Sequence, residues 1–276
     1  MERNKLKDKV IFITGASRGI GREIALRFAQ AGACIAIAAK STEAHPTLSG
    51  TIFSVAEEVK QAGGKALPLA VDVRDEMQVS AAIEKTVETF GGIDVLINNA
   101  SAINLGSTTA ISMKRFDLIF SVNMRATFMC SKLCIPHLKK ANNPHILNLS
   151  PPLSMKPKWF KKHVAYTMSK YGMSMCTLGM AEEFKRDGIA VNSLWPKTLI
   201  ATAAISVNFS KFIYHASRKP AIVADAAYAI VTSPSRQVTG NFFIDEDLLK
   251  THGITDFKQY AMHKFIPVIS DIFIDE

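Results

Sequence analysis

The chain predicts an α/β fold: a doubly wound, mostly parallel sheet of about seven strands flanked by helices. Two observations carry this. Short apolar runs, many rich in β-branched residues, alternate with longer stretches of helical spacing along the 276 residues. The runs are also apolar throughout instead of alternately polar, as strands buried on both faces are, which makes the intervening helices crossovers between parallel neighbours. A third observation sets the size. At 48% hydrophobic and 21% charged, with no internal repeat, low-complexity tract or Pro/Gly-rich linker, the chain reads as one globular domain spanning residues 1–276.

The first strand is expected at 10–14, where Val10 to Thr14 run into a glycine-rich turn, and the first helix at 20–31. A continuous apolar run at 34–39 gives the second strand, followed by a helix at 53–62. The third and fourth strands are expected at 66–71 and 95–98, separated by a helix at 76–90 that starts near Asp75. A long helix at 114–140 leads to a strand at 145–149, and a helix at 165–186 to a strand at 189–194. A helix at 221–232 and a short strand at 241–244 complete the pattern. Residues 199–218 carry the weakest periodicity and are expected to form a substrate lid.

Composition narrows the function classes. The longest apolar runs fall far short of the roughly 18 residues a membrane span needs. The N-terminus is polar and lacks a secretion-signal core, so a cytoplasmic protein is expected. Cys34, Cys130, Cys134 and Cys176 lack the C-x-x-C spacing of metal or redox sites and read as reduced thiols; the seven histidines form no ligand pattern, and no metal is expected. Lys+Arg exceed Asp+Glu by 33 to 24, a formal charge of +9. Apart from clusters at 3–9 and 156–162 the cations are dispersed, which argues against a nucleic-acid partner.

Ligands of such sheets bind beyond the C-terminal ends of the strands. The first strand ends in Thr14-Gly15-Ala16-Ser17-Arg18-Gly19-Ile20-Gly21 and passes straight into a helix. Gly15 permits the tight turn, Gly19 the approach of a pyrophosphate, and Gly21 close packing of the helix, whose free N–H groups would hold the anion. Three glycines alone would suit a structural turn equally well; their place between an apolar strand and a helix favours the phosphate loop of a Rossmann fold. The second strand ends in Ala39-Lys40-Ser41-Thr42, with no carboxylate until Glu43. Lys40 and Arg18 suit a ribose 2′-phosphate better than a free 2′-hydroxyl, favouring NADP(H) over NAD(H). A lone lysine there would otherwise be an ordinary solvated loop residue.

Further on come Asp72, Asn98-Asn99-Ala100, Asn123 and Tyr166-Thr167-Met168-Ser169-Lys170. In this order and spacing the motifs T-G-x-x-x-G-I-G, N-N-A and Y-x-x-x-K resemble the short-chain dehydrogenase/reductase family over nearly the whole chain. The resemblance implies a nicotinamide-dependent oxidoreductase acting on a small carbonyl or alcohol, commonly as a homodimer or homotetramer. It further implies that Asp72 receives the adenine amino group, although Asp72 also suits a helix cap. Asn98 to Ala100 would line the cofactor channel, Asn123 would steady the helix and a water path to Lys170, and Lys170 would hold the nicotinamide ribose.

The Tyr/Lys chemistry follows from spacing alone. Residues four apart share a helix face, so Tyr166 and Lys170 project into one cleft. A phenol titrates near ~10, and an adjacent ammonium is expected to lower that value and make Tyr166 a usable acid/base. One part of the family pattern is missing: the serine expected to polarise the substrate carbonyl is replaced by Pro151, which leaves Ser150 or Ser154 as candidate substitutes. A dinucleotide-binding protein with weakened catalysis therefore stays open as an alternative. The usual Pro-Gly turn is Pro196-Lys197, expected to be stiffer and to add basic charge near the nicotinamide. Residues 151–163, with Trp159 and Phe160, and residues 199–212 are expected to form an apolar, basic-rimmed mouth suited to lipid-like carbonyls.

Overall fold

The computed structural model describes residues 5–45, 48–208 and 210–275. Arg3 of the N-terminal basic cluster and Phe209 of the expected lid lie outside the described residues.

The seven strands are β1 (Val10–Thr14), β2 (Cys34–Ala39), β3 (Lys65–Ala70), β4 (Val95–Asn98), β5 (His145–Asn148), β6 (Ala190–Trp195) and β7 (Phe242–Ile244). They form one sheet in the order β3-β2-β1-β4-β5-β6-β7, and every neighbouring pair is parallel. Between β1 and β4 the direction of winding reverses, which opens a crevice at their C-terminal ends. The inner strands are buried throughout and mostly apolar because both faces are covered, with polar residues such as Asn98, Asn148, Asn192 and Ser193 hydrogen-bonded inside. β3 is half-exposed and contains Pro68, which an edge strand tolerates because the missing N–H costs no inner ladder bond.

Successive strand residues feed two cores. Ile11, Ile13, Ile35 and Ile37 pack with Ile24 and Phe28 of α1 (Gly19–Ala29) and Ile222 and Val223 of α9 (Ala221–Val231). Phe12, Ala36, Leu96 and Ile146 pack on the other face with Val79 and Ile83 of α3 (Glu76–Phe90) and Met180 of α6 (Val164–Glu183). α2 (Ile52–Gln61) flanks β2 and β3.

The long helix expected at 114–140 is interrupted. α4 (Met113–Phe120) runs into a π-helical turn, Ser121–Arg125, before α5 (Ala126–Leu138). The run Met113–Leu138 is long and apolar enough to cross a membrane by length and composition. In this fold its residues Met129, Cys130, Cys134 and Leu138 belong to the second core. Residues 199–218 contain two short helices, α7 (Ala203–Asn208) and α8 (Lys211–His215). After β7 and α10 (Asp245–Thr251), the chain returns over the C-terminal end of β6. There Leu199 donates its N–H to Ile269 O (2.9 Å), Asp271 to Lys197 O (3.0 Å), and Trp195 Nε1 to Ile272 O (2.9 Å).

Candidate active site

Gly15 and Gly19 have φ of +67° and +58°, a region that strains any residue with a Cβ. Gly15 is also fixed by space, since a Cβ there would lie 2.8 Å from Ala100 Cα. At Gly21 a Cβ would collide with Asn99 Nδ2 and sit 2.8 Å from Gly15 O, so this glycine makes room for the turn from β4 as well as for its own helix. Hydrogen bonds lock the two turns together. Thr14 Oγ1 accepts from the N–H groups of Asn99 and Ala100, both at 3.0 Å, and Asn99 Nδ2 donates to Thr14 O (2.9 Å) and Gly15 O (3.1 Å). Arg18, at the head of α1, provides no side-chain cap. The exposed N–H groups of that first turn suit an anion.

This loop forms one wall of a cleft of about 480 Å³. Ser17, Arg18, Gly19 and Ile20 line that wall, Lys40, Asp72 and Arg74 the far end, and Asn99 and Ala100 the floor. Asn98 does not line it; its side chain is buried and donates to Asn148 Oδ1 (2.8 Å) and Ser131 Oγ (3.1 Å). Asp72 does not cap α3 either. Asp75 does, accepting from the N–H groups of Met77 and Gln78. The Asp72 carboxylate instead faces Arg74, in a two-pronged contact with the shortest N–O distance 2.6 Å, and Lys40 at 3.1 Å. The Arg74 guanidinium holds its carboxyl well below the usual range against the opposing effect of burial. Arg18 reaches across the groove to the carbonyls of Ser49 (3.2 Å) and Gly50 (2.8 Å). Two cations, Lys40 and Arg74, thus share the Asp72 carboxylate, and Arg18 is held on backbone carbonyls at the same cleft.

Ile20, Asn99, Ser101, Ile103 and Thr202 also line a second cavity of about 400 Å³ that adjoins the first. Its walls are apolar: Leu105, Leu149, Trp195, Leu199, Ile200, Ile205 and Ile269. Polar groups meet at Tyr166, Lys170 and Asp271. Tyr166 and Lys170 are 4% and 3% exposed. Lys170 Nζ donates to Leu149 O at 2.9 Å and lies 5.2 Å from the Trp195 ring centroid. Burial lowers the Lys170 ammonium to about 7, with Asp271 opposing the shift. The Tyr166 phenol moves up, not down, because burial and then the Asp271 carboxylate disfavour the phenolate.

Asn123 sits in the π-helical turn. Its Oδ1 accepts from Ala102 N–H (2.8 Å), while its Nδ2 donates to Ala102 O (3.0 Å) and Ser169 Oγ (2.9 Å). It therefore staples the loop after β4 to the residue before Lys170. Ser150 does not reach the cavity. It is fully buried and shares a hydrogen bond of 2.8 Å with Ser193, which is joined to Thr177 (2.7 Å), to which Asn148 Nδ2 donates (2.8 Å). Ser154 donates to Asp275 at the surface (3.3 Å). Neither candidate serine replaces the hydroxyl displaced by Pro151.

Two further expectations change. Leu199, Ile200, Thr202 and Ile205 of the expected 199–212 stretch line the cavity, but 151–163 do not. Trp159, Lys156 and Lys158 instead hold the C-terminal Asp275, with ammonium–carboxylate distances of 3.1 and 2.9 Å. Lys197 turns toward α10, pairing with Glu246 (3.2 Å) and Asp247 (2.9 Å), while Pro196 lines the cavity. The structure also adds Arg74 and Asp271. Arg74 lies two residues past Asp72, and a cation at that offset was the available signal. Asp271 stands out in Ile269-Ser270-Asp271-Ile272-Phe273-Ile274 as an acid among apolar residues.

A family model described as short chain dehydrogenase matches residues 9–210. The chain is 58% identical over 271 residues to hydroxysteroid dehydrogenase-like protein 2 of Danio rerio, covering 98% of this chain and 65% of that relative's length. It thus spans a little under two thirds of the curated relative. A crystal structure of a short chain dehydrogenase from Mycobacterium thermoresistibile superposes with a TM-score of 0.93 at 48% identity, covering 98% of this chain and 96% of that one. The fold is shared at greater distance. A Mycobacterium paratuberculosis short chain dehydrogenase bound to NAD has a TM-score of 0.74 at 22% identity, over 87% of this chain and 97% of that one. A metagenomic short-chain oxidoreductase in complex with NADP has 0.73 at 24%, over 87% and 98%. A match of this length and a relative of this identity place the chain in the short-chain dehydrogenase/reductase family.

Proposed function

We propose that the protein is an NADP(H)-dependent oxidoreductase that moves a hydride between the nicotinamide and an apolar, lipid-like carbonyl or alcohol, with Tyr166 as the proton-transferring group. The observation that carries this is the meeting of Tyr166 and Lys170 in an apolar cavity that adjoins the glycine-loop cleft. The cleft fits a dinucleotide: Gly15, Gly19 and Gly21 leave open the backbone a pyrophosphate needs, and Asn99 braces the loop. Lys40, Arg18 and Arg74 would face a 2′-phosphate, and Asp72, which lines the same cleft, would stand near the adenine. Distant relatives that hold NAD and NADP support the cofactor class, and the excess of cations supports the phosphorylated form.

The bound cofactor supplies or accepts the hydride. The chain supplies the proton. A phenol held above its ordinary range is protonated at neutral pH, so Tyr166 is set to donate to a carbonyl oxygen, which favours reduction. Lys170, anchored on Leu149 O, stands ready to stabilise the phenolate as the proton departs. Asn123 positions that helix through Ser169 and Ala102. A homodimer or homotetramer would cover Phe128, Met175 and Leu178, which are exposed on α5 and α6.

The test is a panel of short and long-chain ketones, aldehydes and alcohols followed by NADPH absorbance, with NADH in parallel. Apolar ketones should turn over best. Tyr166→Phe should lower kcat by about 10²–10⁴-fold with cofactor affinity intact. Unchanged turnover in that variant would remove Tyr166 from the mechanism.

A further inference from the structure

The structure assigns Asp271 a catalytic role: we propose that its carboxyl, in the protonated form, donates a hydrogen bond to the substrate carbonyl oxygen in place of the serine hydroxyl that Pro151 removes. The inference rests on the oxidoreductase reading and adds a second group at the reacting oxygen.

The placement is deliberate at every level of structure. Asp271 arrives on a C-terminal segment fastened on both sides of the residue. Its own N–H donates to Lys197 O (3.0 Å), Leu199 N–H binds Ile269 O (2.9 Å), and Trp195 Nε1 binds Ile272 O (2.9 Å). The next residue but one, Phe273, is 2% exposed and packs against Tyr166, Trp195, Tyr171, His163 and Trp159, with ring centroids 5.4 to 6.4 Å away. Phe273 has φ of +68°, which costs a residue with a Cβ on the order of 1–2 kcal/mol, so the surrounding packing enforces this path. The result is a carboxyl on the wall of the same cavity as Tyr166 and Lys170.

The chemistry fits a donor. One Asp271 oxygen, Oδ1, accepts from Ile272 N–H at 2.7 Å. The other has no partner among the described residues and is free to carry the proton. Burial, followed in part by the nearby Asp245 carboxylate, pushes the Asp271 carboxyl up to about 7, against the pull of Ile272 N–H and the Lys170 ammonium. Tyr166, Lys170 and Asp245 are the titratable groups that act on it. A neutral carboxylic acid in an apolar pocket can donate a hydrogen bond at neutral pH, and a donor aimed at a developing oxyanion is worth about 10²–10³ in rate. In the reaction Asp271 keeps its proton; Tyr166 transfers the one that the product alcohol gains.

The test uses the full chain with Asp271→Ala and Asp271→Asn, NADPH, and phenanthrenequinone as the carbonyl probe, alongside the panel above. Asp271→Ala should lower kcat/KM for reduction by about 10²-fold. Asp271→Asn, whose amide still donates, should recover most of that loss and, above pH 7, should exceed the wild type, whose donor is then ionised. An Asn variant as slow as the Ala variant, or one retaining the wild-type fall above neutral pH, overturns the donor role. A second readout needs no turnover. The Asp271 side-chain carbon in labelled protein, assigned by its loss in Asp271→Asn, should titrate near neutral pH, and a midpoint near ~4 overturns the proposal. Failure of the oxidoreductase reading looks different, since the wild type itself would then turn over no carbonyl or alcohol with either nicotinamide cofactor, whatever midpoint Asp271 shows.

Discussion

At the scale of single residues, the proposed preference for NADP(H) rests on charge at the end of β2. Lys40 and Arg74 share the one carboxylate of Asp72, so a 2′-phosphate arriving there would meet cations already gathered but not neutralised in number. The Lys40 side chain is 63% exposed, and its pairing with Asp72 at 3.1 Å is worth little to folding. Its consequence is therefore in binding. A hydrogen bond to a charged group contributes about 1.5–3 kcal/mol, so Lys40→Asp should shift the NADPH-to-NADH affinity ratio toward NADH by roughly 10–100-fold. Titration of both cofactors checks this, with the melting temperature nearly unchanged. An unaltered ratio would mean that Arg18 and Arg74 suffice without Lys40. The same scale shows what a sequence conceals. Gly15, Tyr166 and Lys170 announce themselves by spacing, whereas Arg74 matters only because the turn after β3 brings it back onto Asp72.

At the scale of elements, the inner strands were legible because burial on both faces leaves runs such as Ile11–Ile13 and Ile35–Ile37 with no polar residue to break them. Three features were not. The π-helical turn at Ser121–Arg125 leaves the hydrophobic spacing of its neighbours intact, so 114–140 reads as one helix even though that turn is what carries Asn123. Ser150 sits one residue before the position where the family pattern has its reactive hydroxyl, but the pairing of β5 with β6 sets it against Ser193, where it belongs to a buried polar network. The C-terminal segment has no helical or strand period because its fixation comes from other elements: the backbone of Lys197 and Leu199 and the side chains of Trp195, Trp159 and the lysines at 156 and 158. This makes a prediction about the segment as a unit. Truncating a buried aromatic costs about 3–5 kcal/mol, and here the loss falls on a terminal strap before it falls on the sheet. Phe273→Ala should therefore free residues near 269–275 for amide exchange and proteolysis and depress kcat, while leaving the affinity for NADPH as it was. Global unfolding in place of local release would show that the strap is part of the core and not a cover.

At the scale of the whole molecule, the ends of the sheet respond to pH in opposite senses. At the C-terminal end of the strands, burial raises Asp245 to about 6 and Asp271 to about 7, so the folded state retains protons that the unfolded chain would release. At the opposite end, His145 begins β5 fully buried, with Nε2 3.0 Å from Ser233 O and Nδ1 without a partner among the described residues. Burial lowers it to about 4 against a partial opposing effect of Ser233 O. The signs follow from linkage. Between the folded and unfolded values of His145, from pH 4 to 6.5, the unfolded chain binds more protons, so this residue's contribution is complete above pH 6.5 and is lost as the pH falls. The two aspartates act the other way over much of the same window, which flattens the total and hides each part. Replacing His145 exposes it. His145→Gln should be less stable than the wild type at pH 7, because the packing is altered, but the gap should close by roughly 2 kcal/mol at pH 5, where the wild type begins to lose a contribution that glutamine never had. Urea unfolding of both proteins at the two pH values measures the gap directly. A gap that stays constant would place the His145 titration near its ordinary value and the ring within reach of water, and the acid response of the molecule would then belong to the carboxylates of the site end alone.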